Sequence, residues 1–117
     1  MTKLFHKELS GERWFSLSLP EQMANIGSEV YRTIDAFTRN DMSRYRYAFE
    51  RTMELYSLTL SDKRWKGRYR EIARSKEFFV SLFYDSDKFK NIADEFCFLN
   101  KYFLQFGVLA RNKQAGE

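Results

Sequence analysis

The sequence holds few of the residues on which disulfide bonds, histidine-based sites and tight turns depend. It has one cysteine, one histidine, one proline and five glycines in 117 residues. A lone cysteine cannot form a disulfide bond within the chain, and a lone histidine excludes histidine-rich metal clusters. The scarcity of proline and glycine favours long uninterrupted helices over a turn-rich β architecture.

Long hydrophobic runs are absent as well. No segment approaches the roughly 18 consecutive apolar residues that a membrane-spanning helix needs. The first residues, MTKLFHKELSGER, lack the continuous apolar stretch of a secretory signal. Together with the single cysteine, this pattern predicts a cytoplasmic protein in a reducing compartment.

Apolar and aromatic residues, by contrast, are plentiful. Hydrophobic residues make up 44% of the chain and aromatic residues 18%, which excludes an intrinsically disordered protein. Four stretches place apolar residues at intervals of three or four, the spacing of an amphipathic helix. These stretches cover residues 18–38, 42–60, 63–84 and 89–110.

The connections between these stretches are short and polar, and short connections force antiparallel neighbours. The fold class predicted is therefore all-α, an antiparallel up-down four-helix bundle. Ser18 and Glu21 have capping-box spacing at the start of the first helix, with Pro20 in its first turn. We assign residues 1–17 to an N-terminal arm, 18–111 to the bundle and 112–117 to a frayed tail.

The fourth stretch is apolar over more of its circumference than a surface helix needs. The residues outside its main stripe are Cys97, Phe98, Tyr102, Leu104 and Val108. Such a helix is either the most central one or packs against another subunit. Because no helix of a four-helix bundle is fully surrounded, we expect a homo-oligomer, with Cys97 as a small buried side chain.

The sequence has no arrangement typical of an enzyme. His6 lies in the arm, and Cys97 has no histidine nearby, so neither a Ser-His-Asp triad nor a Cys-His nucleophile is expected. No glycine-rich phosphate loop is present, and Gly27 is expected to let a neighbouring helix approach closely. Surface pairing explains the helix-neighbour spacing of Glu29 with Arg32 or Thr33 and of Glu50 with Glu54. The candidate carboxylates are Glu21, Glu29, Asp35, Glu50, Glu54, Asp94 and Glu95. We predict a non-enzyme without metal or cofactor.

Positive charge is concentrated in one segment, KRWKGRYREIARSK, at residues 63–76. This basic segment contains seven Lys or Arg residues and one Glu, while the rest of the chain carries thirteen basic and fifteen acidic residues. The whole formal net charge of +4 therefore comes from this segment. A local positive pole on an otherwise neutral protein attracts polyanions.

On one continuous helix, Lys66, Arg70 and Arg74 would form one row, and Arg64 and Arg68 an adjacent row. Arginines bind phosphate, and exposed aromatic rings stack on bases. The segment therefore predicts nucleic-acid binding governed by shape and charge, with RNA favoured over DNA. The predicted binding residues are Lys63, Arg64, Trp65, Lys66, Arg68, Tyr69, Arg70, Arg74 and Lys76.

Other interpretations of the basic segment remain open. It is also typical of the solvated face of a helix, with no ligand. Alternatively, the chain is a protein–protein adaptor whose basic helix docks an acidic partner. Arg44, Arg46 and Arg51 would extend the basic surface if their helix faces the same way.

Three segments carry a resemblance: SLSLPEQMANIGSEVYRTI (16–34), AFERTMELYSLTLSD (48–62) and KYFLQFGVLAR (101–111). They resemble a family of small helical proteins of bacteria and archaea. More distantly, the chain is similar to the group of ribosomal-RNA intervening-sequence proteins and the accessory variability determinant of diversity-generating retroelements. The resemblance implies a positively charged, ring-forming bundle, such as a pentamer, that binds nucleic acid and a reverse transcriptase. It assigns no individual site residue.

Overall fold

The computed structural model describes residues 11–115, with side-chain surroundings given for residues 12–112. Within that range the chain forms five α-helices and no strand, so the predicted all-α class is confirmed. The helices are α1 (Gly11–Trp14), α2 (Leu19–Thr38), α3 (Met42–Ser61), α4 (Tyr69–Tyr84) and α5 (Ile92–Ala115). Short 3₁₀ segments occupy Lys63–Arg68 and Ser86–Lys88.

The four long helices pack in a cyclic order, in which each contacts the next along the chain and α5 returns to α2. Contacts within each pair run in opposite directions, so neighbouring helices are antiparallel. For α2–α3 they are Glu29 with Arg51 and Asp35 with Arg44, and for α3–α4 they are Tyr56 with Ser75 and Tyr45 with Phe83. For α4–α5 they are Glu71 with Tyr102 and Phe83 with Phe96, and for α5–α2 they are Phe103 with Gly27 and Phe96 with Phe37.

The start of α2 has the capping box that its sequence predicts. The Ser18 hydroxyl accepts a hydrogen bond from the Glu21 backbone N–H at 3.3 Å, and the Glu21 carboxylate accepts one from the Ser18 N–H at 3.0 Å. These bonds satisfy donors that the first helical turn leaves free. At the other end, Asn40 adopts φ 59°, a left-handed conformation that asparagine tolerates better than most residues.

The core is filled by the apolar faces of all four long helices, and aromatic rings fill one end. Phe83 contacts five other rings there, at centroid distances of 5.2 to 5.9 Å: Phe37, Tyr45, Phe49, Phe79 and Phe96. Nearer the middle, α2 and α5 approach closely at Gly27. A Cβ atom on Gly27 would lie 2.5 Å from the Cβ of Phe103, so the predicted close approach is confirmed.

The described part of the predicted N-terminal arm packs against the bundle. Trp14 ends α1 with its side chain fully buried, and its indole N–H donates to the Thr59 hydroxyl at 3.0 Å. His6 lies outside the described residues. At the opposite end of the chain, α5 continues as helix through the first four residues of the predicted tail. No helix of the described range is both long and apolar enough to cross a membrane.

Candidate nucleic-acid interface

The basic segment is not one continuous α-helix. Residues Lys63–Arg68 form a 3₁₀ segment with non-helical dihedral angles at Trp65, and α4 begins only at Tyr69. The predicted row is therefore wrong at Lys66, which precedes the α-helix and is out of register with it. Arg70 and Arg74 do lie one turn apart on α4.

Arg64 holds the junction between α3 and α4 together. Its Nη2 lies 2.7 Å from Oδ2 of Asp62 and donates to the backbone carbonyl of Leu17 at 2.8 Å. The Asp62 side chain is only 5% exposed, and it also accepts a hydrogen bond from Gln22 at 3.1 Å. Hydrogen bonds from Arg64 and Gln22 lower the pKa of Asp62 to about 2, against a smaller opposing effect of burial. Arg64 is thus a structural residue in this fold.

Trp65 belongs to the same junction. Its indole N–H donates to the Gln22 side-chain carbonyl at 2.9 Å, and it packs against the core. The Arg64 guanidinium lies over the ring, 4.4 Å from its centroid. These contacts occupy the half-buried indole of Trp65. Of the two aromatic residues predicted to stack on bases, Tyr69 is the more accessible, since 53% of its surface is exposed.

Of the remaining cations, Arg68 forms an ion pair with Glu71, three positions further along the chain. Its guanidinium donates to the Glu71 carboxylate at 2.7 Å. The other five basic residues of the segment have no ion pair or hydrogen bond with any described residue. They are Lys63, Lys66, Arg70, Arg74 and Lys76, and all but the half-buried Lys76 are exposed.

A groove of about 580 Å³ lies between α4 and α5 beside two of these cations, Arg70 and Arg74. Arg70 and Arg74 line it from α4, and Arg68 lines it from the end of the 3₁₀ segment. Phe98 and Tyr102 line it from α5, and Phe98 is 64% exposed. The groove therefore combines guanidinium groups with an exposed aromatic ring, the pair of groups that phosphate contact and base stacking require.

Tyr102 contributes its ring to this groove and keeps its hydroxyl inside the protein. The hydroxyl oxygen is buried and has no hydrogen bond of normal geometry with a described residue, although Glu71 and Arg68 lie nearby. Burial raises the pKa of Tyr102 to about 12, with a smaller contribution from the negative charge of Glu71. The side chain stays neutral at physiological pH.

Two of the three arginines predicted to extend the basic surface from α3, Arg44 and Arg51, face α2 instead. Arg51 pairs with Glu29 of α2 at 3.3 Å, and Arg44 lies 3.7 Å from Asp35 of α2. Glu29 is buried and is shared with Arg32, so burial raises its pKa while Arg32 opposes that effect. Burial likewise lowers the pKa of Arg51. These groups stabilise the α2–α3 contact.

The surplus apolar residues of α5 divide between two flanks of the helix. Cys97 and Leu104 line a second groove of about 920 Å³ between α5 and α2, together with the 60% exposed Tyr31. Phe98 lies on the other flank, towards α4, and Leu109 has nearly the same angular position about three turns further along α5. Cys97 is exposed, so its predicted burial is wrong, because its position faces away from the core stripe.

Sequence reasoning missed Phe78, Phe98 and Tyr102 as parts of the candidate interface. The apolar surplus of the fourth helix was the available signal, but spacing alone does not say which neighbouring helix each residue faces. Among the described residues, no three His, Cys, Asp or Glu side chains come together as a metal site would require. Comparison with protein-family models, curated proteins and solved structures gave no match.

Proposed function

We propose that this chain is a non-enzymatic, homo-oligomeric accessory protein that binds nucleic acid through its basic segment. The observation that supports this function is the set of five basic residues of the segment that have no ion pair or hydrogen bond with a described residue: Lys63, Lys66, Arg70, Arg74 and Lys76. A Lys or Arg side chain without an acidic partner can neutralise a phosphate and release the counterion that was condensed on the nucleic acid there. Arg70 and Arg74 are the principal phosphate ligands, since they also line the α4–α5 groove.

Self-association is the second part of the proposal. The flank of α5 that carries Cys97 and Leu104 leaves large apolar side chains in solvent, and Tyr31 adds to them from α2. Burying such a surface against another copy would favour assembly. Assembly multiplies a modest basic surface by the number of subunits and so raises avidity for a long polyanion.

The retroelement setting, with a reverse transcriptase as protein partner, rests on the resemblance of residues 16–34, 48–62 and 101–111. A protein–protein adaptor is the competing function, because an acidic partner would use the same cations. The two functions differ in what competes for the surface. If the chain is a nucleic-acid-binding protein, nucleic acid should displace an acidic protein from this surface. If the chain is an adaptor, the acidic protein should stay bound in the presence of nucleic acid.

The test is charge reversal at Arg70 and Arg74. We expect the double variant Arg70→Glu, Arg74→Glu to abolish binding of a fluorescein-labelled RNA, measured by fluorescence anisotropy at low salt. Both side chains are free of partners in the described part of the chain, so circular dichroism should show an unchanged fold.

The matched control reverses two other exposed cations, Arg46→Glu and Lys90→Glu, which changes the net charge equally. We expect this control to weaken RNA binding only slightly, and the salt dependence of binding to stay close to that of the parent protein. If both double variants lose affinity equally, net charge and not the basic segment governs binding. Unchanged binding in the Arg70/Arg74 variant would exclude these residues from the interface.

A further inference from the structure

The groove between α4 and α5 places two cations that pair with no described residue beside an exposed aromatic ring. Arg70 and Arg74 line it from one helix and Phe98 from the other. Glu71 is the acidic residue that lines the same groove, and its carboxylate is already bound by Arg68. The groove therefore has an excess of positive charge on one side and apolar surface on the other.

Phe98 is held in place while most of its surface remains in solvent. Its ring meets the ring of Phe78 edge to face, with centroids 6.1 Å apart and planes at 82°. This contact restricts the orientation of Phe98, yet the side chain is 64% exposed. A large aromatic ring that is positioned but uncovered loses little conformational entropy when a planar ligand stacks on it.

We propose that this groove binds single-stranded nucleic acid, with one base stacked on Phe98 and neighbouring phosphates bound by Arg70 and Arg74. The inference rests on the proposed function and adds a choice of ligand to it. A base within a duplex is already stacked on both faces and paired at its edge, so its ring is not available to Phe98. A duplex can use only the cations, whereas a single strand can use the cations and the ring.

Tyr102 borders the same groove with its ring. The hydroxyl is buried, so a ligand would contact the ring and not the oxygen. Stacking on aromatic rings depends weakly on base identity, since every base has a π face. The site should therefore prefer single strands over duplexes without reading a particular sequence.

The experiment compares a labelled single-stranded RNA of twelve nucleotides with the duplex of the same sequence, by fluorescence anisotropy. For the full-length protein we expect a lower Kd for the single strand. In the variant Phe98→Ala the single-strand Kd should rise about tenfold, the value of one lost stacking contact, while the duplex Kd should stay unchanged.

Two substitutions separate stacking from apolar contact. Phe98→Trp keeps an aromatic ring and should retain the single-strand preference. Phe98→Leu keeps an apolar side chain without a ring and should lose the preference, as Phe98→Ala does. The matched control is Leu109→Ala, an exposed apolar residue on the same flank that does not line the groove, and it should change neither Kd.

Each contrary outcome has a distinct meaning. If the parent protein binds neither RNA, the proposed function fails and this inference fails with it. If it binds both but Phe98→Ala leaves the single-strand Kd unchanged, the base site is wrong while the proposed function stands. Displacement of the single strand by polyglutamate as effectively as by unlabelled RNA would also overturn the inference, since the groove would then be a site for acidic protein.

Discussion

Gly27 shows how one residue sets the distance between two helices. A Cβ atom there would meet the Cβ of Phe103 at 2.5 Å and its Cγ at 3.0 Å, and both atoms lie near the α5 backbone, where they cannot swing away. Alanine is otherwise preferred to glycine in a helix by up to about 1 kcal/mol. Replacing Gly27 with alanine would therefore combine a gain in helix propensity with a steric clash against Phe103.

We expect the steric cost to dominate in Gly27→Ala, because overpacking in a well-packed core costs about 1–3 kcal/mol. The net loss in free energy of unfolding should be about 1 kcal/mol, measured by urea denaturation followed by circular dichroism. Gly107→Ala is the matched control within α5, since a Cβ there meets nothing within 4 Å and should add about 0.5–1 kcal/mol. Equal effects at both positions would contradict the packing argument.

The geometry of the candidate site follows the sequence pattern at some residues and departs from it at others. Arg70 and Arg74 lie one turn apart on a regular helix, which spacing alone could predict, and they pair with no described residue. Arg64 and Trp65 were predicted to contact nucleic acid, yet their partners are Asp62 and Gln22. Gln22 lies more than forty positions away in the chain, so no local pattern could reveal that contact.

At the scale of elements, the junction between α3 and α4 decides the shape of the basic segment. Asp62 ends α3, and its carboxylate also accepts the Arg64 backbone N–H at 3.1 Å. Asp62 therefore both caps the end of α3 and begins the 3₁₀ segment. Because Lys66 lies in that 3₁₀ segment, it is out of line with Arg70 and Arg74 on α4. Helical periodicity predicted α2 and α3 closely, but it carries no information about a turn that is stabilised by contacts with another helix.

This junction should make stability depend on pH through Asp62. A carboxyl group whose pKa falls from 3.8 to about 2 on folding stabilises the folded state above pH 4, and that contribution is lost as pH falls towards 2. We expect Asp62→Asn to lower the free energy of unfolding at pH 7 by about 1–2 kcal/mol, allowing for solvent screening at the partly exposed Arg64.

The difference between the parent protein and Asp62→Asn should shrink below pH 4 and disappear near pH 2. Urea denaturation at pH 7, 5, 4 and 3 measures this change. Asp87→Asn is the control, because Asp87 is exposed and has no ion pair with a described residue; it should have little effect. A difference that persists undiminished at pH 3 would show that Asp62 acts through shape and not through charge.

For the molecule as a whole, the sequence predicts the four long helices and the all-α class, but not the short helix α1 or the assembly. The apolar residues outside the main stripe of α5 indicated an uncovered surface. In the structure some of them face α2 and others face α4, on two separate flanks of the helix. If the proposed function and the inference from the groove both hold, the flank of α5 that faces α2 contacts another subunit. The flank that faces α4 then contacts nucleic acid. Periodicity alone could not separate the flanks, because both lie outside the same core stripe.

Self-association should depend on the flank that faces α2. We expect Leu104→Lys to reduce the mass measured by light scattering after size-exclusion chromatography, because it places a charge where an apolar surface is to be buried. Leu104 is 63% exposed in the single chain, so the substitution should leave the helix itself intact. Leu109→Lys makes the same change on the opposite flank and should keep the parental mass.

Absorbance at 260 and 280 nm during the same chromatography reports nucleic acid that co-purifies at low salt. An assembly that carries nucleic acid would support both parts of the proposed function. A parent protein that elutes as a monomer would contradict the assembly. A loss of mass in Leu109→Lys alone would show that the subunit interface lies on the flank of Leu109 and not on the flank of Leu104.

The junction also gives the protein a built-in optical probe. Trp14 and Trp65 are its two tryptophans, and both are bound at this one place: Trp14 donates to Thr59 of α3, and Gln22 accepts from Trp65 while donating to the Trp14 carbonyl. All indole emission therefore originates where α1 and the 3₁₀ segment meet the bundle. Tryptophan fluorescence would follow local detachment of that region, while far-ultraviolet ellipticity would follow the helices as a whole, so the two events could be timed independently.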